Sequence, residues 1–144
     1  MNSLFSVFFL VSLFFEPQIV RDEFHQLQTQ KQENVFILKY QNDPSPSIQA
    51  YVCAVEMKQA EYAFNPIKKL KVFVKTKKKL ELLIEKNPSN IDLRYIRLLL
   101  QERTPSILGY KDRIQEDKQI LSTKLSLKEI SKELEVYIYN NTSL

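Results

Sequence analysis

Arg94, Arg97 and Gln101 are the residues of this sequence whose types and spacing could do chemistry, because steps of three and four place them on one narrow stripe of a helix. Two guanidiniums aligned in this way can hold a carboxylate or phosphate through paired N–H donors. Their setting is apolar: Ile91, Leu93, Tyr95, Ile96, Leu98, Leu99 and Leu100 cover most of the remaining circumference, so the helix reads as buried. An unpaired buried guanidinium is expensive, and each Arg therefore needs an anion. Two readings follow. Either carboxylates of the next segment (Asp112, Glu116, Asp117), with Tyr110 beside them, fix how two helices cross, or the stripe Arg94, Arg97, Gln101, Tyr110 and Asp117 lines a cleft for an anionic ligand.

Composition removes most other chemistry. A single Gly excludes phosphate-cradling loops and dinucleotide fingerprints, which need several. One His and one Cys cannot build a zinc cage or an internal disulfide, so no cofactor, metal site or catalytic residue is expected. His25, beside Asp22 and Glu23, reads as a surface histidine, and Cys53 as a small buried hydrophobe. Tyr51, Tyr62, Tyr95 and Tyr110 are expected to gather around the central helix. The net charge of +4 permits attraction to anionic surfaces. Lys68, Lys69, Lys71, Lys75, Lys78 and Lys79, with Lys77 snorkelling from an apolar side, read as spread around one helix: a solvated face or a contact for anionic lipid. Nucleic acid is not expected, since no aromatics interleave with these lysines.

The elements that would position these residues can be read in order. Leu4 to Phe15 is an uncharged Phe- and Leu-rich run too short to span a bilayer, so residues 1–17 read as a signal peptide or a hydrophobic anchor, cleavage being open. Val20, Phe24 and Leu27, then Val35 to Tyr40, give one helix or two. Ser45-Pro46 starts a helix to about Phe64 with two apolar faces, and Asn65-Pro66 starts another to about Lys86 with Leu70, Phe73, Val74, Leu80 and Ile84 inward. Pro88 and Ser89, the latter accepting from the Asp92 N–H, open the central helix, which Thr104-Pro105 closes. Ile107, Leu108, Ile114, Ile120 and Leu121 suggest the next helix, with Gly109 inside it, and Ser126 to Glu129 matches a capping box opening the last. The predicted architecture is all-α, antiparallel helix pairs of the α-α superhelix type, five to six helices over 18–139, with 140–144 a frayed tail.

Ala50 to Lys86, followed by Asn87-Pro88-Ser89-Asn90, resembles a tetratricopeptide-type helix pair, though no second copy appears at a period near 34. Ala63 to Pro66, Asn87 to Arg97, Gln101, Pro105 to Tyr110, Ile114 and Asp117-Lys118 together resemble an uncharacterised family of small exported bacterial all-helical proteins. The resemblance implies export to the periplasm or cell envelope and lends no catalytic residue. The expected role is a non-enzymatic interaction or scaffold module whose partner is another envelope protein. The alternative is a peripheral membrane protein that contacts anionic lipid through helix 66–86.

Overall fold

The computed structural model describes residues 16–144, and among these the chain forms seven α-helices and no strand. The run Leu4–Phe15 lies outside the described residues. The helices are α1 (Pro17–Gln26), α2 (Gln30–Tyr40), α3 (Pro46–Lys58), α4 (Pro66–Lys86), α5 (Ile91–Arg103), α6 (Ile114–Ser126) and α7 (Lys132–Asn141). Seven exceeds the expected five to six, because the segment read as one helix or two is divided. The Thr29 hydroxyl accepts from the Gln32 N–H while the Gln32 side chain accepts from the Thr29 N–H, a capping box that starts α2 inside the polar run.

Starts marked by a cap followed by proline lie where the sequence places them. Ser45 Oγ accepts from Ile48 N–H ahead of α3, and Asn65 Oδ1 accepts from Ile67 N–H at 2.8 Å ahead of α4. Other boundaries differ. The cap of α5 is Asn90, not Ser89, and its side chain accepts from Leu93 N–H at 3.0 Å. Residues 107–113 are not α-helical: Ser106–Leu108 is a single 3-10 turn, and Gly109 adopts φ +65°, a left-handed conformation that ends it. Ser126 to Glu129 is a stop rather than a start. Lys128 sits at φ +56°, Lys128 N–H donates to Leu125 O and Glu129 N–H to Lys124 O, a Schellman-type end to α6. The true cap of α7 is Ser131, which accepts from Leu134 N–H.

α3 and α5 form the centre. α3 packs against α1, α2, α4 and α5; α5 packs against α3, α4 and α6; α7 returns to α1. Every residue from Ile48 to Val55 is buried, as a helix apolar on two sides requires, and Ala50, Cys53 and Ala54 let its neighbours approach closely. One apolar cluster draws on all seven helices, with Val20, Phe36, Tyr51, Leu80, Ile96, Leu121 and Ile138 among its members. A smaller one joins Met57, Phe73 and Tyr110.

Several expected core residues face out instead. α3 ends at Lys58, the chain tightens into a 3-10 turn over Gln59–Tyr62, and Phe64 is left fully exposed in the extended link to Pro66. On α4 the inner face is Phe73, Thr76, Leu80 and Ile84, so Leu70 and Val74 lie to one side of it and are about half exposed. Ile107, outside any α-helix, is 93% exposed. The tail predicted to fray is tied down: α7 continues to Asn141, Ser143 N–H donates to Glu102 at 3.0 Å, and Leu144 packs on the core.

Candidate functional site

The Arg stripe is brought together with its acids, inside the protein. Arg97 Nε and Nη2 donate to the two oxygens of Asp117 at 2.7 Å each, and Nη1 donates to Glu81 at 2.8 Å. Arg94 donates to Pro88 O at 2.9 Å and, through Nη1, to Asp117 and Glu116 at 3.1 Å. Asp117 is fully buried and Arg97 is 3% exposed. Tyr110 donates to the other oxygen of Glu81 at 2.7 Å, so the cluster spans α4, α5, the 106–113 link and α6. Burial opposes the charge on Arg97, but the hydrogen bonds and fields of Asp117 and Glu81 outweigh it and hold the guanidinium above its ordinary pKa. Burial first, and Glu81 second, push the Tyr110 hydroxyl well above its ordinary value. Gln101 completes the stripe by accepting from the Arg113 N–H at 3.2 Å, which anchors the link before α6. Asp112, expected among the partners, lies within reach of Arg113 on the surface instead.

Sequence reasoning missed Glu81, which arrives from the helix before α5 rather than the one after it. It also missed a second buried ion cluster. Arg21 on α1 clasps Asp92 of α5 with both Nε and Nη2 at 2.8 Å, and the Tyr51 hydroxyl donates to Asp92 at 2.5 Å. The available signal was Asp92 itself, an acid on a helix otherwise apolar at that end.

His25 is not a surface residue. It stacks on Tyr137 with ring centroids 3.9 Å apart, and its Nε2 lies 3.1 Å from the Tyr95 hydroxyl. Burial, with the Arg103 charge next, lowers its pKa to about 4, so it is neutral at pH 7. Cys53 is a buried free thiol whose pKa burial pushes up to about 12. Of the four tyrosines expected around α5, Tyr51, Tyr95 and Tyr110 are buried, whereas Tyr62 is exposed at the end of its 3-10 turn.

The lysines of α4 divide by environment. Lys77 places its Nζ 4.7 Å from the Tyr110 ring centroid, and Lys79 pairs with Glu56 at 3.2 Å. Lys68, Lys69, Lys71, Lys75 and Lys78 are exposed, and none has a carboxylate within 4.0 Å among the described residues.

Where the two apolar clusters meet, packing is incomplete. A cavity of about 660 Å³ opens between α3, the first turns of α4 and the end of α5. Its walls are mostly apolar, including Val55, Met57, Phe73, Leu99 and Leu100, and its outer lip carries Leu70, Ile107 and Leu108. Polar side chains also line it, among them His25, Glu61, Thr104 and Asn141. Glu33, fully buried, is held by Lys58 at 2.7 Å and Gln59 at 2.8 Å, while Lys69 and Arg103 also border the opening. This size falls in the range of about 300–1,000 Å³ typical of sites that take apolar ligands or side chains. Among the described residues no helix is long and apolar enough to cross a membrane. Comparisons with protein-family models, curated proteins and solved structures give no match to this chain.

Proposed function

We propose that this chain is a non-enzymatic interaction module of the bacterial envelope, and that its working surface is the cavity between α3, α4 and α5 together with the apolar lip around it. One observation carries the reading: Leu70 and Ile107, large apolar side chains that line the cavity, stand in solvent instead of completing the core, and Phe64 and Ile67, also exposed, flank Pro66 of its wall in sequence. Exposed apolar side chains gathered at a cavity mark a contact site more often than a packing accident. The α3–α4 pair, read as a tetratricopeptide-like unit, would serve as the scaffold for that surface. The envelope assignment rests on the sequence run Leu4–Phe15.

The Arg94–Arg97 stripe is assigned a structural role in this reading, because the acids of α4 and α6 already occupy its donors. A photocrosslinking side chain at position 64 or 107 in the native host tests the proposal. Adducts with envelope components are expected from both positions and not from Gln119, which is exposed on α6. Equal labelling from all three positions would remove this face as the working surface.

A further inference from the structure

Resting on that reading, we propose that the partner is an anionic lipid bilayer, met by the outer face of α4 and the 106–108 turn. At about 100° per residue, Ile67, Leu70 and Val74 form an outer stripe about 60° wide, and Lys68, Lys71, Lys75 and Lys78 fall in the adjoining arc of about 80°. All seven are exposed. Of the two acids on α4, Glu81 is engaged by Arg97 and Tyr110, which leaves Glu85 alone against four lysines. Leu70 lines the same cavity as Ile107 and Leu108, so the turn and the stripe are neighbours. Ile107, 93% exposed, borders the cavity together with Leu70 and Pro66, and Phe64, fully exposed, lies two residues ahead of Pro66.

This is the side-chain order that a bilayer surface accepts. Apolar groups sink below the head groups while ammoniums on long stems reach the phosphates beside them. A protein partner fits less well, since lysines are depleted from the centres of protein–protein interfaces and here four adjoin the apolar stripe without acids to neutralise them.

The chain contains no Trp, so Phe64→Trp in the full-length protein makes a single fluorescent reporter at the proposed point of insertion. Vesicles of phosphatidylcholine, with or without phosphatidylglycerol and carrying brominated acyl chains, supply the surface and the quencher. On anionic vesicles the emission should shift blue and be quenched; on neutral vesicles it should change little. The separate variant Val136→Trp, with its reporter on α7, should stay unquenched on both. Replacing Lys68, Lys71, Lys75 and Lys78 by Gln should raise the lipid concentration for half-maximal binding by at least about tenfold.

Protein that sediments with vesicles while the indole at position 64 stays unquenched would overturn the inference, since another part of the chain would then be doing the binding. Equal quenching on neutral vesicles would overturn it too. If that indole never meets lipid but the crosslinker at position 64 captures an envelope protein, the bilayer falls and the interaction module stands. If neither happens, both fall.

Discussion

Asp117 faces two guanidiniums in a fully buried site, and this decides what its loss would do. Asp117→Ala leaves Arg94 and Arg97 buried side by side, so stability should fall by about 3–5 kcal/mol in urea unfolding. A ligand-binding stripe would instead leave unfolding nearly unchanged. His25 gives a pH signature of definite sign. Its pKa is about 4 in the folded protein, against an ordinary 6.5, so the unfolded chain binds the extra proton between these values. Stability from this residue is therefore complete above pH 6.5 and lost as pH falls toward 4. The groups facing it are Arg103, Asp22, Tyr95 and Tyr137, of which Asp22 alone favours the charged ring. In His25→Phe the urea midpoint should fall less between about pH 7 and about pH 4.5 than in the parent; equal falls would show that the ring does not titrate this way. The stripe itself was legible, because Arg94, Arg97 and Gln101 follow the helical period. Glu81 was not, because it reads as one more charge on a Lys-rich helix, and Arg21 was not, because a pair formed across 71 positions leaves no local pattern.

Five of the seven described α-helices start at a side-chain cap: Thr29, Ser45, Asn65, Asn90 and Ser131. Asn90→Ala should cost about 1 kcal/mol by removing the acceptor for Leu93 N–H, whereas Ser89→Ala should change stability by less than about 0.5 kcal/mol. Ser131→Ala should likewise cost about 1 kcal/mol at the start of α7. Thermal or urea melts distinguish these positions; a larger loss at Ser89 than at Asn90 would contradict the observed cap. Proline after a polar cap was readable because its chemistry is local and fixed. The α6–α7 boundary was not, because Lys128 occupies a left-handed position that usually favours glycine, and nothing in a lysine announces that. Leu70 and Val74 were misplaced for a third reason. A helix with apolar residues on two sides does not say which side the core takes, and here Phe73, Leu80 and Ile84 took it.

For the molecule as a whole, the exposed lip of the cavity is separate from the buried residues that line its walls. Ile67→Asp combined with Ile107→Asp should leave the melting midpoint where it is, because both side chains already stand in solvent, and should abolish the crosslinking and vesicle quenching read from position 64. A large drop in melting midpoint would mean that these residues support the fold. The all-helical class was legible from the absence of alternating patterns, and α5 as a buried centre from its apolar circumference. The equal role of α3 was visible only as two apolar faces, and the cavity had no sequence signal, since it arises from how two clusters fail to merge.

The meeting of α1 with α7 bears on how the protein is made. Asp22 accepts from the Tyr137 hydroxyl across 115 positions, and Arg21 reaches Glu133 across 112. A ribosome therefore releases α1 long before α7 exists: α2 and α3 can cover Phe24 early, whereas the contacts of α1 with α7 form only when synthesis is nearly over. The seam between α1 and α7 is then the last to close.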